Sequence, residues 1–214
     1  MSEAHRLHGC FRGWEREAAD ARCLAFARII QAHTVVRIQT AIAWDDWERI
    51  VRGKVPGMPD HPYFWMFYDL MRQVAEWQID AGLDGTVDYI FDYQCKVGEV
   101  AASHYSRVRG VLPEPLRARL GSTPVFKHDR NVPPLKAADM WAWHVRRYLW
   151  KRIGALRAGS DYEHPPLMKA LMTAPAVGSF IDAEMLEGML EGYRLGAQDA
   201  RNGVTHLWEF RSAE

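Results

Sequence analysis

Apolar residues recur along this chain with two different periods, and the changes between them mark out helices and strands. From Gly13 and Trp14 to about His33, Ala18, Ala21, Leu24, Ala25, Ala27 and Ile29 follow helical spacing. Between His33 and Ile42 the period falls to two: Val36, Ile38, Thr40 and Ile42 alternate with Val35, Arg37 and Gln39, which predicts a strand. Trp44-Asp45-Asp46-Trp47 begins a short helix ending near Gly53, and Pro56, Gly57 and Pro59 make a loop. Pro62 suits the first turn of a further helix. There Tyr63, Met66, Phe67, Leu70, Met71, Val74 and Trp77 share one face, while Trp65, Asp69, Arg72, Gln73 and Glu76 share the other. This is the clearest amphipathic pattern in the chain, and Gly82 and Gly85 end it.

The stretch TVDYIFDY at 86–93 reads as a second strand, rich in β-branched and aromatic residues and free of proline. Helices follow over 96–109 and 113–120, a third strand over 123–127, and a helix over 135–156 after Pro133-Pro134. A last helix over 182–200 sets Met185, Leu186, Met189, Leu190 and Tyr193 against the core. Strands separated by helices predict an α/β layered fold rather than a bundle. The expectation is one domain over 1–214 with a small sheet of three strands, residues 157–214 being a helical extension packed upon it.

Composition adds boundaries. With 48% hydrophobic and 25% charged residues, a 214-residue chain can bury a full core. No stretch approaches the ~18 to 20 apolar residues of a membrane span. The opening MSEAHRLHGCFRGWERE carries no apolar run of a secretory signal, and Cys10, Cys23 and Cys95 are scattered. The expectation is therefore a cytoplasmic protein with reduced thiols and no membrane partner.

Net charge is zero, but it is unevenly spread: residues 58–104 carry 2 basic and 8 acidic groups, residues 105–157 carry 12 and 3, and residues 158–214 carry 4 and 9. A basic block of this kind is either neutralised by its acidic neighbours across the fold or marks a phosphate-binding face.

On a helical wheel Leu135, Ala138, Trp141, Ala142, Val145, Tyr148 and Leu149 form one stripe, with Asp139 at its border. Asp92 closes the strand TVDYIFDY. An acid at a strand end and an acid on a neighbouring helix are parts of which a Mg²⁺ site is made; equally, Asp139 can pair with Lys136 and Asp92 can cap a loop. The nine histidines, His5 and His8 included, show no convergent zinc pattern. No phosphate-binding glycine loop or nucleophile elbow is present, and the nine tryptophans read as packing residues.

Four segments in register carry a further signal: RLHGCFRGW at 6–14, PYFWMFYDLMRQVAEW at 62–77, YIFDYQCKVGEV at 89–100 and FKHDRNVPPLKAADMWAWHVRRYL at 126–149. Together they resemble the bacterial family called domain of unknown function 3800, over about residues 3–150. The resemblance implies an RNase H-like fold in which carboxylates bind divalent metal for phosphodiester chemistry. By that correspondence Asp139 is the family's helix aspartate, Asp92 the acid ending its middle strand, and Asp129 a third candidate ligand, with Mg²⁺ or Mn²⁺ as the implied cofactor. Two features depart from the family. KAAD stands where the family has Gln-x-x-Asp, so Lys136 replaces the glutamine, and its Asp-Glu-Ser first strand has no counterpart in this sequence.

The expectation is a start upstream of Met1 or a truncated copy, with an incomplete sheet that a second copy or a partner protein would cover. The functional expectation is a nuclease-like protein, weak or inactive as it stands, with a phosphate track at Arg107, Arg109, Arg117, Arg119, Arg146, Arg147, Lys151 and Arg152. The alternative is a noncatalytic module of the same fold that binds protein or nucleic acid.

Overall fold

The structure is a computed structural model that describes residues 2–55, 60–93, 95–157 and 162–201; the loop expected at Pro56, Gly57 and Pro59 lies outside the described residues. In chain order the elements are α1 (Ser2–Arg6), α2 (Arg16–His33), β1 (Arg37–Ile42), α3 (Trp44–Ile50), α4 (Tyr63–Asp80), β2 (Ile90–Asp92), α5 (Cys95–Val111), α6 (Glu114–Arg117), β3 (Val125–Lys127), α7 (Pro133–Arg157), α8 (Pro166–Leu171), β4 (Ala176–Ile181) and α9 (Ala183–Arg201). The fold is mixed α/β and mostly helical. No described helix is long and apolar enough to cross a membrane. The described residues form two compact units, one drawn from Met1–Arg37 and Lys127–Ala176, the other from Ile38–Phe126 and Val177–Glu214.

The strands differ from the single three-stranded sheet that the periodicity predicts. β1 pairs with β4, and β2 pairs separately with β3. β4 was hidden in the sequence because Gly178 and Ser179 interrupt the apolar alternation of Ala-Val-Gly-Ser-Phe-Ile. In the first pair Gln39 lies against Gly178 and Thr40 against Ser179, so positions rise together and the strands run parallel. A Cβ at residue 178 would come 2.5 Å from Gln39 Cγ, which explains the glycine. In the second pair the Val125 N–H donates to the Tyr89 carbonyl at 3.0 Å and Phe91 stacks on Phe126, again parallel.

The second unit is organised around α4, which is buried on more sides than its sequence pattern predicts. Phe64, Phe67 and Met71 join Tyr89, Ala101, Tyr105, Leu112 and Leu120 in one apolar cluster. Trp65, expected on the polar face, joins Trp47, Ile50, Val51, Ile181, Leu186, Met189 and Leu190 in another. Asp69 and Gln73, also expected in water, are 3% exposed.

Their burial is possible because they are satisfied. Gln73 Nε2 donates to Asp69 Oδ2 at 2.7 Å and to Ser179 Oγ at 3.0 Å. The Ser179 hydroxyl donates to the same carboxylate, and Thr40 Oγ1 lies 3.2 Å from it. Asp69 Oδ1 accepts from Arg72 at 2.8 Å. Periodicity reads α4 as amphipathic because it cannot see the β4 hydroxyl that makes a carboxylate acceptable inside.

The first unit packs by small residues. On α2 the buried positions are Ala19, Cys23 and Ala27, one helical turn apart; of the expected residues Ala27 is buried and Leu24 half-buried, while Ala18, Ala21, Ala25 and Ile29 are exposed. Cys23 and Ala27 meet Ala4 of α1, Met140 of α7 and Leu171 of α8. Arg37 fastens the chain after α8: its guanidinium donates to Met172 O at 2.8 Å and to Ala174 O, and lies 4.5 Å from the Trp141 ring centre. α7 turns inward an arc that only partly matches the expected one, with Trp141 packed against the cluster. Leu135 and Val145 are buried with Met140 and His144, while Ala138 and Ala142 are exposed. Two alanines are too small to decide which way a helix faces against a methionine and an imidazole.

Two consequences can be measured. Removing the Ser179 hydroxyl leaves a buried charge short of a donor, so Ser179→Ala should lower the unfolding free energy by about 2 kcal/mol. Ser103→Ala, on an exposed hydroxyl that bonds within its own helix, should change it by less than about 0.5 kcal/mol; equal denaturation midpoints for the two variants would refute the network's role. The second concerns His144, whose Nε2 is buried without a hydrogen-bond partner among the described residues. Burial first, and then the Arg147 guanidinium, pull its pKa from 6.5 down to about 4. Folding therefore favours the neutral ring: stability is full above pH 6.5 and is lost as the pH falls through 4, by about 3 kcal/mol. Melting temperature followed from pH 7 to pH 4 should show this loss, and His144→Gln should remove that part of it.

Candidate functional site

α7 carries the sequence DMWAWHVRRYLWK over 139–151, and its helical period brings Asp139, Ala142, Trp143, Arg146 and Arg147 onto one side. With Lys151 they line an open groove of about 740 Å³, whose other wall is His5 and Arg6. The exposed Ala142 leaves space in the groove that a larger residue would fill. His5 and Arg6 end α1, where Leu7 turns the chain with a φ of 53°. Arg16 secures that turn: its guanidinium donates to Ala4 O at 3.2 Å and to His5 O at 2.7 Å, the last carbonyls of the short helix.

Four permanent cations, Arg6, Arg146, Arg147 and Lys151, thus face one carboxylate, Asp139. Such a concave wall with a net excess of positive charge concentrates anions. His5 registers the field: burial, then the Arg147, Arg16 and Arg6 guanidinium groups, hold its pKa below 6.5. The groove also has an aromatic wall. The Trp143 ring lies 5.6 Å from the His5 ring, tilted by 50°, and the Arg147 guanidinium carbon lies 5.1 Å from the indole centre. At one end Lys151 Nζ is 5.9 Å from the Tyr162 ring centre.

Of the residues singled out from the sequence, Asp139, Arg146, Arg147 and Lys151 come together here. Asp129 sits in a short 3-10 turn before α7, half-buried and not on the groove wall. Asp92 ends β2 in the second unit, exposed. Arg109 is exposed on α5, also in the second unit, and the Arg107 side chain lies outside the described residues. Arg117 bonds Glu114, and Arg119 donates to Leu83 O at 2.7 Å with Asp84 beside it, so these two belong to local pairs rather than to a track. Arg152 donates to the Tyr148 hydroxyl at 2.9 Å.

Sequence reasoning does not place His5, Arg6 and Trp143 at a site: it weighs His5 only as a metal ligand and Trp143 only as a packing residue. Trp143 had a signal, since Asp139, Trp143 and Arg147 are spaced four apart on one helix. His5 and Arg6 had none, because only tertiary packing brings α1 to α7.

The divalent metal that the family resemblance implies does not fit this donor set. Mg²⁺ and Mn²⁺ call for carboxylate and other oxygen ligands, and the groove offers a single carboxylate among four cations that repel a metal ion. Among the described residues no group of three or more His, Cys, Asp and Glu side chains is placed to hold a metal.

The electrostatic reading has a direct test. The His5 imidazole, followed by NMR through a pH titration, should titrate below 6.5 in the free protein. It should move upward in Arg147→Ala and upward again when phosphate is added, because each change reduces the positive potential around it. An unmoved titration in both experiments would contradict the groove as an anion site.

No protein-family model matches the chain, and neither a curated protein nor a solved structure matches it, so the chemistry of the groove itself is the ground for a functional reading.

Proposed function

We propose that this protein binds nucleic acid through the groove between α1 and α7, as a noncatalytic module. The observation that carries the reading is the gathering of Arg146 and Arg147 with Lys151 and Arg6 around one concavity. Arginine forks match phosphate oxygens in pairs, and lysine adds a point charge. Phosphate contacts of this kind supply affinity without sequence information. Asp139 helps to hold the cationic wall together by offsetting part of its self-repulsion.

The RNase H-like layering and the metal-dependent cleavage belong to the family resemblance. Against cleavage stands the groove's single carboxylate, since phosphodiester hydrolysis of that type needs acids that share metal ions between them. The noncatalytic reading asks only for the cations that are present.

Binding of a labelled oligonucleotide, followed by fluorescence anisotropy between 50 and 200 mM salt, tests the proposal. Affinity should fall steeply with salt, and Arg146→Ala and Arg147→Ala should each reduce the slope of log K against log salt by about 0.7 to 0.9. Strand cleavage in Mg²⁺ or Mn²⁺ that disappears in Asp139→Asn would overturn the noncatalytic reading. Salt-insensitive binding, or none at 50 mM salt, would overturn the groove as the site.

A further inference from the structure

We propose that the ligand of this groove is an unpaired strand, with a base stacked on Trp143 in the cluster that it forms with His5 and Arg147. The inference rests on the nucleic-acid reading above and narrows it. A duplex presents phosphates on a convex outer surface and keeps the faces of its bases inside, so a flat or gently curved basic surface serves it best. Here the cations line an open groove of about 740 Å³, a volume in the ~300 to 1,000 Å³ range of small-molecule sites. A groove of that volume has room for a nucleotide of a single strand and is too small to take in the width of a duplex.

The wall chemistry points the same way. Trp143 is half-buried on α7 with Arg146 and Arg147 three and four residues on, so an aromatic face and two phosphate-binding forks are one helical turn apart. The His5 ring and the Arg147 guanidinium carbon lie 5.6 and 5.1 Å from the indole centre, the imidazole tilted by 50° to the indole, so flat π groups gather at one place on the wall. Bases add to such planes whatever their identity, because each has a π face. A site built for phosphate alone would have no use for the indole. The combination of stacking planes with a cationic border is the chemistry that single strands require, and it predicts little preference among base sequences.

The experiment compares, on the full chain at one salt concentration, a labelled oligothymidine, a duplex of the same length, and inorganic tripolyphosphate as competitor. The single strand should bind at least about tenfold more tightly than the duplex, and tripolyphosphate should displace it only at much higher concentration. Trp143→Leu should weaken single-strand binding roughly five- to a hundredfold, the size of one base–aromatic stack. It should leave the salt slope unchanged, since no phosphate contact is removed. Circular dichroism shows whether the variant is folded, and the strand-against-duplex ratio of the unsubstituted chain gives the answer independently of it. Equal or tighter duplex binding would overturn the single-strand inference and leave the nucleic-acid reading standing. Tripolyphosphate competing as well as the oligonucleotide would overturn the stacking role. Absence of binding to either nucleic acid at low salt would overturn both readings.

Discussion

The close approach that Ala19, Cys23 and Ala27 allow along α2 is the constraint on which the first unit depends. With no side chain longer than a thiol on that line, α1, α7 and α8 all reach the same helix, through Ala4, Met140 and Leu171. Such contacts are individually weak and gain their strength from density of packing. The two walls of the groove come from opposite ends of this arrangement, α1 with His5 and Arg6, α7 with the remainder. Ala4 of α1 and Met140 of α7 join Cys23 and Ala27 of α2 in one cluster, and the His5 ring lies against that of Trp143, so the walls are tied to α2 and to each other. The cations of the groove repel one another, and the packing behind them offsets that repulsion.

The second unit solves a different problem. α4 has apolar neighbours on two flanks and a parallel strand pair along a third side, so part of its polar face must be dry. Asp69 can be there because Gln73, Ser179 and Arg72 donate to it together. An arrangement of this kind also fixes register, since a slip of β4 by one residue would carry Ser179 to the other side of the strand and leave the carboxylate short of a partner.

What the sequence disclosed follows from how local each feature is. The helices were legible because their periodicity is written within ten to twenty residues, and Gly82 does close α4 with a φ of 63°, while Gly85 bends the loop that follows. β4 was not, because its glycine and serine are chosen for Gln39 and Asp69, partners that lie far off in sequence. The inward arcs of α2 and α7 were misjudged where alanine was the evidence, a residue equally at home inside and outside. Within the groove, Asp139, Arg146, Arg147 and Lys151 were legible because one helix carries them all. Arg6 and His5 were not, since no spacing rule connects the start of a chain with a helix near its middle. The basic block itself was half a signal: Arg117 and Arg119 turned out to serve nearby carboxylates and a carbonyl, and α7 kept the groove's share.

α1 has only five residues, too few to be stable as a helix by itself. It stays folded because Ala4 is buried and because Arg16 clasps the carbonyls of Ala4 and His5 in its last turn. One wall of the groove is therefore a small, separately meltable element, whereas the other is part of a long packed helix. Local opening of that wall needs far less free energy than unfolding the unit. The firmness of the groove on its α1 side therefore depends on Arg16, a residue outside the groove's own lining.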